Sequence, residues 1–316
     1  MRIQEHLRDY AIFIFFILLF VIFSVVARGF LSATNLINIA RQVSLIGIVS
    51  VGMTMVILSG GIDLSVGSVL AVSGTFAAYL MVKLSFPMIP AVIAGVGIGA
   101  FIGLVNGLLI TKVNIPPLIT TLATMTGARG IAYIITKGVP IYGFPESFSA
   151  IGQGYIWFIP VPVVIMILVF VAGYLVLNNL PLGRHIYGIG GNEEAALLSG
   201  LNVNRKKILV YLLSGLLAGI AGIVLLSRIN TGSPTLGSGF ELEVITAVVL
   251  GGVSISGGEG KLRGVIIGVL IMGVLSNGLI ILSVDEYYQW VVRCVVLLLA
   301  VGLDKNADKL KSRRVE

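Results

Sequence analysis

The sequence predicts an all-α fold, a polytopic transmembrane helical bundle of about ten spans. The chain has 316 residues, of which 57% are apolar and 11% are charged. Soluble domains average about 45–50% apolar and about 25% charged residues. The apolar runs are continuous and approach the roughly 20 residues that a membrane-crossing helix needs. Strands of an outer-membrane barrel would instead alternate over about 10 residues.

Ten apolar runs are expected to form the bundle. They cover residues 10–27, 42–59, 62–82, 88–110, 116–136, 157–177, 208–227, 242–255, 264–283 and 287–303. No small-residue cleavage site follows the first run, so we expect a retained span and not a signal peptide. The run 242–255 is short for a crossing, which indicates a broken or half-inserted helix.

The distribution of basic residues predicts the orientation. With the N-terminus in the cytoplasm, 14 of the 21 Lys and Arg residues lie inside and five lie outside, while Arg129 and Arg293 fall within spans. The positive-inside rule selects this arrangement. Both termini, including the basic tail 304–316, are then cytoplasmic. The longest cytoplasmic loop is 178–207.

That loop contains a compact polar stretch, RHIYGIGGNEEAALLSGLNVNRKKI, which begins at Arg184. The glycines of YGIGGN favour a tight turn. NEEAALLSG predicts a short helix, with Asn192 as N-cap, Glu193 and Glu194 at its positive end and Gly200 as its stop. The helix would carry an apolar strip from its alanines and leucines. It would dock on lipid or on a protein, or form part of a solvated connector.

Other segments are open to two interpretations each. The loop 137–156 is expected to be a compact external segment with a short helix, and 228–241 a second polar external loop. Together they would form a docking surface or act as ordinary connectors. GGIDLSVG at 60–67 and GGVSISGG at 251–258 indicate an internal repeat of the kind found in transporters, or a chance match in a glycine-rich chain.

Catalytic and metal-binding patterns are absent from the sequence. Two histidines and one cysteine, Cys294, give no metal-ligand cluster and no intramolecular disulfide. GGEGKL at 257–262 lacks the Ser or Thr after Lys261, and Ile255 replaces the first glycine of a phosphate-binding loop. The chain is therefore not expected to hydrolyse nucleotide by itself.

Polar residues within the apolar runs are candidates for a translocation path or gate. Ionisable groups there are costly and often functional. The alternative is structural, a helix cap for Asp63 and snorkelling or interhelical bonding for Arg129 and Arg293; no partner for Arg293 can be named. The path or gate candidates are Asp63, Ser65, Asn106, Thr120, Ser254, Ser256 and Asn277.

Long stretches resemble the ribose-type permeases of bacterial ABC sugar importers. They are GGIDLSVGSVLAVSG from residue 60, LGRHIYGIGGNEEAALLSGLNVNRKKI from 182, ELEVITAVVLGGVSISGGEGKLRGVIIGVLIMGVLSNGL from 241 and YYQWVVRCVVLLLAVGLD from 287. The resemblance covers about residues 10 to 305. It implies one permease domain, 1–316, with a fold similar to the ten-helix vitamin-B12-type (type II) importers.

The resemblance also implies the partners. Such a permease is a non-catalytic subunit of the bacterial inner membrane that pairs with an identical or related permease. A cytoplasmic ATPase carries ATP and Mg²⁺, and a periplasmic or lipid-anchored binding protein delivers the sugar. The chain itself would contact membrane lipid and bind neither cofactor, metal nor nucleic acid.

The loop 178–207 would then hold a helix that couples the permease to the ATPase. Nucleotide binding would close the ATPase halves and drag this helix, which opens or closes the path. Residues implied at this contact are Gly191, Asn192, Glu193, Glu194, Ala195, Ala196, Leu197, Leu198, Ser199 and Gly200, with Arg205, Lys206 and Lys207 beside them. Ala196, Leu197 and Leu198 would form the packed strip.

The substrate implied is a monosaccharide, with ribose first. Permeases for nucleosides, for a signalling sugar derivative and for branched amino acids are alternatives within the same superfamily. A secondary transporter is a further alternative, but the spans lack a clear proton relay or carboxylate cluster. An intramembrane enzyme or scaffold has no positive sign in the sequence.

The predicted orientation has a direct test. A cysteine introduced at Ser199 should react with a membrane-impermeant thiol reagent only when the cytoplasmic face is accessible. Labelling of this cysteine from outside intact cells would contradict the predicted topology.

Overall fold

The computed structural model describes the backbone of residues 2–312 and the side chains of residues 12–302. This part of the chain is mostly helical. In chain order the helices are α1 (Arg2–Val26), α2 (Ala33–Leu58), α3 (Val66–Ala78), α4 (Met88–Lys112), α5 (Pro117–Thr136), α6 (Glu146–Gln153), α7 (Val161–Asn178), α8 (Pro181–Gly191), α9 (Glu193–Leu198), α10 (Val203–Ile229), α11 (Phe240–Leu250), α12 (Leu262–Ile281) and α13 (Glu286–Ser312). A short antiparallel hairpin joins β1 (Tyr155–Ile156) to β2 (Ile159–Pro160).

Each of the ten apolar runs lies on its own helix. Within the described residues, seven helices are long and apolar enough to cross a membrane, namely α2, α3 with its π-helical continuation Tyr79–Lys83, α4, α5, α7, α10 and α12. The apolar part of α1 that is described, Ile12–Val26, is shorter. The structure thus confirms a polytopic helical bundle, while ten crossings remain a prediction. The predicted tail 304–316 lies outside the described side chains.

Helix α2 forms the centre of the bundle. Within an apolar stretch of 18 residues in α2, 89% of the residues are buried. The corresponding share is 22% in α4, 22% in α5 and 17% in α7. The large exposed side chains of these outer helices are apolar, as at Ile93 and Leu168. Such surfaces are expected to face lipid, because in water they would form an extended exposed apolar patch.

Glycines bring α4 and α10 into backbone contact. Gly95, Gly99, Gly103 and Gly107 recur every four residues and line one face of α4. A Cβ at Gly103 would overlap the carbonyl oxygen of Tyr211 on α10. Small residues at this spacing allow close packing where the hydrophobic effect does not drive helices together.

The two GG motifs end α2 and α11 in the same way. Gly60 and Gly252 have φ values of +80° and +86°, and their amides donate to the carbonyls of Ile57 and Val249 at 2.9 Å. This is the bonding of a left-handed helix terminator. The sequence match pairs Gly60 with Gly251, whereas in the structure the residue equivalent to Gly60 is Gly252. The motifs therefore repeat a helix end, and the loops that follow differ in length.

The segment 230–239 corrects the expectation of a polar external loop. Gly232 packs against Ala78 at the far end of α3, whereas Gly237 lies against Gly67 in the first turn of α3. The segment therefore runs back along α3 before α11 begins. Helix α11 has only 11 residues, which is consistent with the half-inserted helix expected for this run.

The expected short helix in the loop 137–156 is present as α6. It packs on the end of α10, where the Ser227 hydroxyl donates to the Phe148 carbonyl at 2.5 Å. The Ser227 hydroxyl also accepts from the Gly152 amide at 2.8 Å. This loop is therefore fixed to the bundle through backbone groups.

Substitution of Gly103 by Ala should destabilise the protein by about 1–3 kcal/mol, since the new methyl group collides with backbone. Thermal unfolding of the purified protein in detergent would report this loss. Gly97→Ala is the matched control, because a Cβ at Gly97 on the same helix meets nothing within 4 Å. Equal melting temperatures for the two variants would contradict the packing argument.

Candidate functional site

The polar stretch in mid-chain forms two consecutive helices, α8 and α9. The tight turn predicted for YGIGGN is wrong, because Tyr187 to Gly191 remain helical. The chain turns only at Asn192, whose φ and ψ are −160° and 102°. The glycines instead permit a close approach, since a Cβ at Gly190 would overlap the Leu58 carbonyl oxygen. Local glycine content could not distinguish these two uses.

Helix α9 has the ends that the sequence predicts. The Asn192 side-chain oxygen accepts from the Ala195 amide at 2.9 Å. Glu193 and Glu194 occupy the first turn, where acidic groups favour the positive end of the helix. Gly200 follows with φ +82°, and its amide donates to the Leu197 carbonyl at 3.0 Å. These bonds fix a helix that would be too short to persist alone.

The residues of the predicted apolar strip of α9 do not share one face, because one is buried and two are exposed. Ala196 is buried in a cluster with Ile189, Leu201 and Val203. Leu197 and Leu198 are 59% and 82% exposed. The other residues from Gly191 to Gly200 are exposed as well. One side of α9 is therefore anchored on α8 and α10, and two leucines project from the protein.

A salt bridge joins α9 to the start of α10. The Lys207 ammonium lies 2.6 Å from the Glu193 carboxylate. The Glu193 side chain is 53% exposed and that of Lys207 is 14% exposed, and ion pairs open to solvent are worth only about 0–1 kcal/mol. Glu194 and Arg205 are both exposed.

Three of the predicted path residues meet at the start of α3. The Asp63 carboxylate accepts from the Ser65 amide at 3.0 Å and from the Ser65 hydroxyl at 2.6 Å. The Asn106 amide of α4 donates to the same hydroxyl at 3.0 Å. Ser214 of α10, which sequence reasoning did not select, donates to the other carboxylate oxygen at 2.8 Å. The network joins three helices through one loop.

This network is buried within the chain, and the Asn106 side-chain oxygen has no hydrogen-bond partner in it. Asp63, Ser65, Asn106 and Ser214 are each at most 1% exposed. The Ser65 amide lies immediately before α3, so its bond to Asp63 fixes the turn that leads into the helix, while no side chain caps the first turn of α3 itself. The cluster can hold α3, α4 and α10 in register, and a change at any member would be felt by the others.

The remaining path candidates lie elsewhere. Asn277 of α12 exchanges two hydrogen bonds of 3.0 Å with Asn35 of α2. Thr120 is buried near the start of α5. Ser254 and Ser256 lie on the loop between α11 and α12, and only Ser256 is exposed. The structure therefore brings Asp63, Ser65 and Asn106 together and places the other four candidates elsewhere.

Arg129 stabilises the segment that returns along α3. Its guanidinium donates to the carbonyls of Pro234 and Leu236, both at 2.6 Å. The nearby Glu241 carboxylate interacts with it electrostatically. Non-helical backbone inside a membrane protein requires such internal donors. The geometry thus supports a structural role for Arg129, which bonds a non-helical segment to α5.

Arg293 has a partner that the sequence did not reveal. Its guanidinium lies 2.6 Å from the Glu243 carboxylate, and only 17% and 8% of the two side chains are exposed. Ser276 of α12 donates to the same carboxylate at 3.5 Å. Glu243 lies near the start of an apolar run, and a carboxylate in that position could have been noticed in the sequence. Its pairing with Arg293 depends on the packing of α11 against α13, which the sequence does not show. Among the described residues, no cluster of His, Cys, Asp or Glu is suited to a metal ion.

Residues 35–301 match the family described as "branched-chain amino acid transport system / permease component". Among curated proteins, the ribose import permease protein RbsC of Bacillus subtilis (strain 168) is 48% identical over 92% of this chain and 90% of its own length. The same-named protein of Escherichia coli (strain K12) is 46% identical over 92% and 91%. The L-arabinose transport system permease protein AraH of that strain is 41% identical over 96% and 92%. No solved structure matches.

Removal of Arg293 should cost more stability than removal of the whole ion pair. Arg293→Met leaves the buried Glu243 carboxylate without its partner, at a cost of about 3–5 kcal/mol. Glu243→Gln combined with Arg293→Met removes both charges and should recover part of that loss. Thermal unfolding in detergent would compare them, and a double variant no more stable than the single one would refute the pairing.

Proposed function

The chain belongs to the family of transport-system permease components, and we propose that it carries a monosaccharide, ribose first, across the membrane. Its relatives named for ribose import are 43–48% identical to it. Those named for L-arabinose and D-allose transport are 41% and 37% identical. Identity to these relatives therefore favours ribose over the two other sugars.

The chain is a permease subunit of a ribose-type ABC importer. Such subunits are non-catalytic, and a partner ATPase hydrolyses ATP. The seven long apolar helices make it a multi-pass membrane protein. We further propose an inner-membrane location with both termini in the cytoplasm, ten crossings and the vitamin-B12-type arrangement of helices.

The charges of the chain are consistent with a neutral substrate. Asp63 accepts from two serines, Arg129 is bonded to backbone carbonyls, and Arg293 is paired with Glu243. These groups are engaged within the chain. A branched amino acid carries two charges that would need counter-charges along the path. A neutral sugar needs hydroxyl-compatible surfaces and alternating seals, so the sugar alternative is favoured.

The exposure of Leu197 and Leu198 is the observation that supports coupling to an ATPase. These two leucines are exposed in a charged segment of the chain, and an exposed apolar patch with a polar rim marks an interaction site. We propose that α9 inserts into a groove of the ATPase, with Leu197 and Leu198 as anchors and Glu194 and Arg205 at the rim. Ala196 would fix the helix to this chain rather than contact the partner.

The same proposal includes the remaining subunits. A second permease, identical or related, would complete the path, and ATP and Mg²⁺ would bind to the ATPase. A binding protein outside the membrane would deliver the sugar and supply most of the selectivity. Asp63, Ser65 and Asn106 would then act at the start of α3 as part of a gate.

We expect Leu197→Glu combined with Leu198→Glu to abolish ATP-driven ribose uptake. Buried charges without partners would weaken the contact with the ATPase by several kcal/mol. The measurement is uptake of radiolabelled ribose into proteoliposomes that contain the permease, its ATPase and the binding protein. Leu197→Met combined with Leu198→Met is the control and should retain uptake, since methionine keeps apolar side chains of similar volume at both positions.

The same vesicles distinguish the substrates and the mechanisms. Unlabelled ribose should compete better than L-arabinose or D-allose. Uptake by the permease alone down an ion gradient would indicate a secondary transporter. Normal uptake by the double leucine variant would refute the role assigned to α9.

A further inference from the structure

Three glycine segments from distant parts of the chain meet at the end of α2. They are the helix end at Gly60, the last turn of α8 at Gly190 and the loop after α11 at Gly258. A Cβ at Gly190 would overlap the Leu58 carbonyl oxygen and lie 2.5 Å from the Gly258 nitrogen. The contact is therefore made by backbone from all three segments.

Hydrogen bonding holds the same point together. The Gly258 amide donates to the Leu58 carbonyl at 3.0 Å, which joins the end of α2 to the loop after α11. Gly257 lies against Gly60, where a Cβ would stand 3.0 Å from the Gly60 Cα. Gly257 and Gly258 have φ values of +86° and +72°, which favour glycine.

A side chain adds a second tie between α8 and the same loop. The Tyr187 hydroxyl donates to the Gly260 carbonyl at 2.9 Å. Partial burial raises the pKa of Tyr187, so its hydroxyl remains protonated and able to donate. Helix α8 thus contacts the loop at Gly258 and again at Gly260.

We propose that this glycine junction, formed by Gly60, Gly190 and Gly258, transmits movement of α8 and α9 to both neighbouring helix ends. Gly190 is the positioning residue, because its missing side chain allows the three backbones to touch. The inference rests on the proposed function, in which an ATPase moves α9. It assigns the route by which that movement enters the bundle.

Backbone contact is suited to this task. Side chains between two helices absorb a small shift by changing rotamer, whereas touching backbones move together or separate. One route leads from Leu58 through the loop with Asp63 into α3. The other leads from Gly258 into α12. The hydrogen bond between Leu58 and Gly258 couples the two routes.

The test compares Gly190→Ala with Gly188→Ala in permease reconstituted with its ATPase and binding protein. A Cβ at Gly188 on the same helix meets nothing within 4 Å. We expect both variants to retain the ATPase during purification. Gly190→Ala should reduce uptake about tenfold or more, and its ATPase rate should no longer respond to sugar-loaded binding protein. Gly188→Ala should behave as wild type.

The outcomes separate this inference from the proposed function. Wild-type permease that fails to retain the ATPase would refute the proposed function itself. Retained ATPase with normal stimulation in Gly190→Ala would overturn only the junction, as would equal losses in both glycine variants.

If Gly190→Ala does not accumulate in the membrane, a milder variant tests the glycine junction. Tyr187→Phe removes one hydroxyl and should leave the melting temperature nearly unchanged. We expect its ratio of stimulated to basal ATPase activity to fall about two- to fivefold, since one hydrogen bond between α8 and the loop is lost. A wild-type ratio in Tyr187→Phe would then overturn the inference.

Discussion

Backbone polar groups within hydrocarbon must find partners inside the protein, and the rest of this structure depends on that constraint. Long helices satisfy it locally, but the segment 230–239 leaves helical geometry and returns along α3. Arg129 supplies two donors for its carbonyls. Asp63 similarly accepts an amide at the start of α3. The polar residues that interrupt the apolar runs thus make irregular backbone possible where the chain needs it.

Glycine serves the same architecture by a different route. At Gly103 it brings α4 against α10, and at Gly190 it brings α8 against the ends of two other segments. Both contacts exclude side chains, so they are rigid and sensitive to a single methyl group. The first builds the bundle, and the second lies where an external motor would act. Close packing and the proposed transmission of movement would therefore use the same physical device.

The functional conclusion combines this geometry with family membership. The family supplies the permease role, while the structure shows an anchored helix α9 from which two leucines project. Charges engaged within the chain leave a neutral solute as the favoured cargo. In the proposed function, α9 is the point at which a separate ATPase would act on the permease, and a binding protein outside the membrane would supply most of the selectivity between sugars.

The sequence by itself determined the membrane class, the ten apolar runs and helix α9 with its cap at Asn192 and stop at Gly200, because composition and capping are local properties. Tertiary structure decided what depends on distant residues. It placed Glu243 beside Arg293, returned 230–239 along α3, kept Tyr187 to Gly191 helical and divided the leucines of α9 from Ala196. Such outcomes follow from which surfaces meet, and no local pattern contains that information.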